Sequence, residues 1–125
     1  MSNAPSVMIL SDIRDILKAV VLARKEDMGM QIERAYCADL MSDVLAFSIS
    51  HSLLITGLTN TQVIRTAEVA TITAIVFIQN KRPDIQTIAL ADEKKIPLLV
   101  TDLSMFDTCG LLFEKGLRSC NGLEF

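Results

Sequence analysis

"AIVFIQNKRPDIQTIALADEKKIPLLVT", residues 74–101, holds two apolar runs, AIVFI (74–78) and PLLVT (97–101), on either side of a segment long enough for one helix. Each run is continuous rather than alternating, so both faces of its sheet should be covered, as in parallel sheets. Between them, Pro83 suits a first helical turn, Ile85, Ile88 and Ala89 are expected to face inward, and "DEKK" (92–95) ends the helix in solvent. A strand, a helix and a strand make a βαβ unit, and its right-handed crossover lays the two strands side by side in parallel.

The same unit extends in both directions. Upstream, LLIT (53–56) is a third apolar run, followed by Thr59 and Gln62 in a T-x-x-Q capping box and by Val63, Ala67 and Ala70 on one helical face. Downstream, Ser104 and Asp107 make an S-x-x-D helix start, Met105, Cys109 and Leu112 form a stripe, and Gly116 is placed to stop the helix. The expected fold class is therefore α/β: a three-layer sandwich with a mainly parallel sheet built from consecutive β-α units.

The first third is less regular. Ser11 is placed to cap a helix carrying Ile13, Ile16, Leu17 and Val20, with Asp12 and Asp15 in its first turn, where negative charge suits the helix dipole. VVLA (20–23) reads as a short strand, RKEDMG (24–29) as a polar loop and MQIERAYC (30–37) as a half-buried strand. Asp39 or Ser42 then opens a helix with Met41, Val44, Leu45 and Phe47. Residues 1–7 read as a loose start and 118–125 as an irregular tail, so residues 1–125 are expected to form a single domain.

Half the residues are apolar while aromatics are 5% and Trp is absent, so the core must be built from Ile, Val, Leu, Ala and Met. Net charge is −3, and the basic residues cluster in nothing longer than pairs, which argues against nucleic acid. No apolar run approaches the ~20 residues of a membrane span, and the N-terminus lacks a charged-then-apolar leader, so a cytoplasmic location is expected. Three cysteines without C-x-x-C spacing and a single histidine, His51, argue against a disulfide framework, a metal site and a Cys–His catalytic pair. Cys109 reads as a small core residue.

Ligands in open parallel sheets bind beyond the carboxyl ends of the strands. Here those ends carry Thr56, Gly57, Thr59 and Asn60, then Asn80, Lys81 and Arg82, then Thr101, Asp102 and Ser104. Gly57 would permit a backbone conformation other residues resist, unpaired amides after Asn60 can meet an anion, and Lys81 or Arg82 can supply the countercharge. The plainer reading is that Thr, Asn and Ser cap helices and that Gly57 turns the chain. Neither G-x-x-x-x-G-K-[ST] nor G-x-G-x-x-G is present. Asp39, Asp43 and Asp102 would be the acids of an Mg²⁺ site, although capping and solvation account for them more simply, and neither metal nor cofactor is expected.

Four stretches in order, "YCADLMSDVLAF" (36–47), "ITGLTNTQVIRTAE" (55–68), residues 74–102 and "MFDTCGLLFEKGL" (105–117), resemble the DRTGG domain family, in particular its small stand-alone bacterial members. The shared features are a D-L-[LM]-S-D-V segment and a closing C-G-x-L-[FY]-x-x-G-[LI]. The resemblance implies a fold similar to the N-terminal domain of HPr kinase/phosphorylase. It also implies a regulatory or dimer-forming role, such as these domains have beside CBS domains and within some phosphotransacetylases. It carries no catalytic residue set. Thr56 and Gly57 match the family pattern, but Leu58-Thr59 replace its D-R, and Ile78-Gln79-Asn80 replace its T-G-G. The expectation is a non-enzymatic, homodimeric regulatory module that senses a small anionic metabolite or nucleotide. The alternatives are a small nucleotide-binding enzyme domain using Asp43, Lys81 and Asp102, or a scaffold that binds a partner protein.

Overall fold

The computed structural model describes residues 7–120. A six-stranded sheet is formed by β2 (Val20–Ala23), β4 (Arg34–Cys37), β5 (Leu53–Thr56), β6 (Ala74–Phe77), β7 (Leu98–Val100) and β8 (Arg118–Ser119), in the order β2-β7-β6-β5-β4-β8. All its pairings are parallel except β2 with β7. A small antiparallel pair, β1 (Met8–Ile9) with β3 (Gln31–Ile32), stands apart from it. Every residue of β5, β6 and β7 is buried, which is why these strands read as unbroken apolar runs.

The helices are α1 (Leu10–Leu17), α2 (Met41–Phe47), α3 (Thr61–Ala70), α4 (Ile85–Glu93) and α5 (Met105–Glu114). Alternate strand residues divide the core. Leu53, Ile55, Ala74, Val76 and Leu99 pack with Leu10, Ile13 and Leu17 of α1 and Leu112 of α5. Leu54, Ile75, Phe77, Leu98 and Val100 pack with Met41 and Val44 of α2, Val63, Ile64 and Ala67 of α3, and Ala91 of α4. From β4 to β7 the chain steps in one direction across the sheet, and α2, α3 and α4 share one face. After β7 it returns to the far edge, and a right-handed crossover then requires α5 on the opposite face, where it packs beside α1. The result is the expected three-layer sandwich.

Local expectations fail where a backbone device is invisible in the sequence. The first helix ends at Leu17 because Lys18 adopts φ 50°, with the Ala19 amide reaching back to the Arg14 carbonyl. Val20 therefore lies in β2, half exposed, and Ser11 is already inside the helix rather than capping it. MQIERAYC is not one strand, since Glu33 divides it between the two sheets. The T-x-x-Q box is not formed: Asn60 occupies the cap position of α3 with no side-chain cap bond. Pro83 precedes the cap of α4 instead of entering the helix, and Asp84 caps it by accepting from the Thr87 amide at 2.8 Å. Ile85 is 82% exposed, and the buried positions of α4 are Thr87 and Ala91. Apolar residues occur nearly all round this helix, so spacing alone selects no face.

The start of α5 is as expected, with the Ser104 hydroxyl accepting from the Asp107 amide at 3.1 Å. Gly116, at φ 112°, follows the helix end in the left-handed region, as its stopping role requires. Of the tail, residues 118–119 are not irregular. They form β8, with Arg34 opposite Arg118 and Ala35 opposite Ser119. Residues 1–6 of the expected loose start and 121–125 of the tail lie outside the described residues.

Candidate functional site

Thr56 pairs with Phe77, and Phe77 with Val100, so the three loops after β5, β6 and β7 leave the sheet along one edge. Gly57, Asn80 and Asp102 stand in these successive loops. β4 ends on the same edge, two residues before Asp39.

Asp39 organises the first loop. One carboxylate oxygen accepts from the Gly57 amide at 2.7 Å and from the Thr56 hydroxyl at 3.0 Å. The Thr56 oxygen in turn accepts from the Leu58 amide at 3.1 Å. Asp39 thus does not cap α2, whose cap residue Leu40 makes no side-chain bond, but ties the end of β5 to the segment after β4. That role depends on β4 lying next to β5, a fact the local sequence does not carry.

Gly57 is not in a left-handed conformation, because Gly116 is the positive-φ glycine among the described residues. What distinguishes the position is close approach. A Cβ on Gly57 would stand 3.2 Å from the Lys81 ammonium nitrogen and 3.5 Å from the Asp39 carboxylate. Lys81 is thereby brought against the first loop from the second. Four residues after Gly57, α3 begins without a side-chain cap, unlike α4 and α5. The Val63 amide donates to the Asn60 carbonyl at 3.1 Å, and the amides ahead of it are the ones whose donor capacity suits anions. Thr59 is partly exposed and Asn60 exposed in this loop.

The second loop has an unusual backbone. Gln79 and Asn80 both lie at φ 54°, and the Lys81 amide donates to the Ile78 carbonyl at 3.0 Å, as in turns with two successive left-handed residues. Two glycines would adopt this shape without steric cost, whereas here Gln79 and Asn80 hold it. The Gln79 amide donates to Leu103 and the Asn80 amide to Thr101, both at 2.8 Å, which zips the second loop to the third. The Arg82 guanidinium donates to the Asn80 side chain at 3.0 Å.

The remaining residues are engaged elsewhere. Thr101 is buried, donates to the Leu17 carbonyl at 2.9 Å and accepts from the Leu103 amide at 3.3 Å. Thr101 and Asp102 line a separate hollow of about 380 Å³ with Ile16, Lys18 and Leu111. Ser104 caps α5. Among the described residues, no cluster of three or more His, Cys, Asp or Glu is arranged to hold a metal ion.

A second location escaped the sequence. Cys109 is not simply a core residue: it is partly exposed, and its sulfur lies 2.9 Å from that of Cys37. Both line a groove of about 320 Å³ with Ala35, Ile55, Leu112 and Phe113. The Cys37 thiol is held well above the ordinary range, first by its hydrogen bond with Cys109, in which either sulfur is able to donate, and then by partial desolvation. The same hydrogen bond lowers Cys109, against an opposing effect of burial. Seventy-two positions separate the two cysteines, and no spacing rule connects them.

No protein-family model matches the chain, and no curated protein matches it. Among solved structures it is similar to the CBS and DRTGG domains of the regulatory region of Clostridium perfringens pyrophosphatase, determined in complex with the activator diadenosine tetraphosphate. The TM-score is 0.71 at 16% identity, and the likeness covers 92% of this chain but 52% of that one. That neighbour is a regulatory region rather than a catalytic domain. Identity at this level speaks to architecture alone, and the architecture of this chain is a DRTGG-like α/β fold.

Proposed function

We propose that this chain is a non-enzymatic regulatory module that binds a small anionic metabolite or nucleotide at the carboxyl edge of β5 and β6, and that it works as a homodimer. The observation that carries the reading is the Lys81 ammonium held over Gly57, just ahead of the uncapped start of α3. An exposed cation beside a residue without a side chain, near the amides that open α3, suits a phosphate or carboxylate, with the Asp39 carboxylate on the same loop opposing it. The similar pyrophosphatase region binds a nucleotide polyphosphate, which makes this ligand class the first to test. Asn80 and Arg82 flank the cradle, while Thr56 and Asp39 shape it. Thr59, Asn60, Thr101, Asp102 and Ser104 complete the proposed rim, the last three acting chiefly through the loop's own structure.

Self-association is supported by apolar side chains exposed on and after α2, with Leu45 at 52% and Ile49 at 42% exposure. A two-fold dimer is the commonest way to cover such a surface. Regulation then requires the ligand to bind one assembly or conformation more tightly than another.

The test is a thermal-shift titration with diadenosine tetraphosphate, simple nucleotides and phosphorylated metabolites, together with light scattering on the eluting protein. A ligand at 100 times its Kd stabilises by about 2.7 kcal/mol, which a melting curve resolves. Lys81→Ala should abolish the shift while leaving the unliganded melting temperature close to that of the parent. Silence across the panel would overturn the sensor reading and favour a protein scaffold, and a clean monomer at micromolar concentration would overturn the dimer.

A further inference from the structure

We propose that Cys37 and Cys109 form a dithiol site that hydroperoxides oxidise to a reversible intramolecular disulfide, clamping α5 to the carboxyl end of β4. The inference stands apart from ligand sensing and survives its failure.

The geometry carries it. The two sulfurs, one from the last residue of β4 and the other from the second turn of α5, stand 2.9 Å apart, within about 1 Å of the bonded separation of about 2.05 Å. Small shifts of two side chains therefore suffice to form the bond. Access is open as well, because Cys37 is exposed, Cys109 is partly exposed, and both edge the groove between α5 and the β4–β8 border of the sheet. Apolar Ala35, Ile55, Leu112 and Phe113 wall that groove, with Arg118 also on its lining, and a small oxidant such as a hydroperoxide fits it.

The two thiols are also unlike each other. The sulfurs share one hydrogen bond in which either is able to donate, and the attack is written from Cys109, the thiol whose range that bond lowers.

The steps balance. The Cys109 thiolate attacks one oxygen of the hydroperoxide, an S–O bond forms and the O–O bond breaks. The departing alkoxide or hydroxide takes a proton and leaves as an alcohol or water, and Cys109 becomes a sulfenic acid. The Cys37 sulfur then attacks the Cys109 sulfur, the S–S bond forms, and the S–O bond breaks. The hydroxide leaves as water with the Cys37 proton. Two thiols and one hydroperoxide give one disulfide, one alcohol or water, and one water. A dithiol reductant reverses the result by exchange.

The experiment treats the fully reduced protein with one equivalent of hydrogen peroxide, then alkylates the remaining thiols. Three cysteines are present, so free thiols should fall from three to one, with intact mass lower by about 2 Da before alkylation. Non-reducing peptide mapping should join the Cys37 and Cys109 peptides and find Cys120 alkylated. Dithiothreitol should restore all the thiols, and oxidation should raise the melting temperature by on the order of 10 °C. Cys120→Ser should behave as the parent. Cys109→Ser, shown to be folded by circular dichroism, should form no intramolecular link. A bond between two chains, a link through Cys120, or oxidation to sulfinic acid without a cross-link would each overturn the proposal.

Discussion

Two buried threonines show how much a partner decides. The Thr101 hydroxyl bridges the Leu17 carbonyl and the Leu103 amide, whereas the Thr108 hydroxyl is buried with no hydrogen-bond partner among the described residues. The same substitution should therefore have opposite signs. Thr101→Val should destabilise by about 1–3 kcal/mol, because it orphans a buried carbonyl, and Thr108→Val should be neutral or stabilising by about 1 kcal/mol. Urea unfolding of the two variants measures both. Gln79 supplies a second residue-level case, since a side chain at φ 54° carries a steric cost that glycine lacks. Gln79→Gly should raise stability by up to about 1 kcal/mol, while Gln79→Val should lower it, as thermal melts would show. None of this was visible beforehand. Threonine, glutamine and even Gly57 were legible as strand-end residues, but their duties come from neighbours supplied by other parts of the chain.

At the scale of elements, what the sequence revealed follows from how local each cause is. β5, β6 and β7 are buried on both faces and announce themselves as apolar runs. β1, β3 and β8 are two residues each and are strands only because Met8 meets Ile32 and Arg34 meets Arg118. The helix starts divide in the same way, with Ser104 readable from its S-x-x-D pattern and Asp84 hidden behind Pro83. Ser104→Ala should cost about 1 kcal/mol in chemical denaturation. Asp84 gives α4 an acid sensitivity, because accepting from the Thr87 amide holds its carboxyl below the ordinary aspartate range. A depressed value means that this support is complete above about 3.9, the unfolded aspartyl value, and is lost as pH falls through the folded one. Asp84→Asn, which keeps the acceptor without the charge, should flatten that part of the pH profile of unfolding.

The middle of the sheet is its most enclosed part. β6 and β7 pair with neighbours on both sides, and the strands from β5 to β7 are sealed between helices, whereas β2 and β8 border the sheet. Native-state hydrogen exchange should find the slowest amides in β5, β6 and β7 and markedly faster ones in β8 and α2. Uniform protection across the sheet would contradict that gradient. The architecture itself was legible because three β-α repeats leave few topologies open, while the doubling back after β7 was not, since an S-x-x-D helix looks the same on either face.

That doubling back has a consequence for how the fold is reached. β5, β6 and β7 each follow the previous strand by one helix, so their pairings close short stretches of chain. Both borders instead join stretches that lie far apart along the polypeptide, Val20 with Val100 and Arg34 with Arg118. Closing such loops is entropically dearer, so the sheet should zip outward from its centre and seal its two margins last. During synthesis, β4 would wait as an open margin, able to accept a stray strand, until the final helix had carried Arg118 around to cover it.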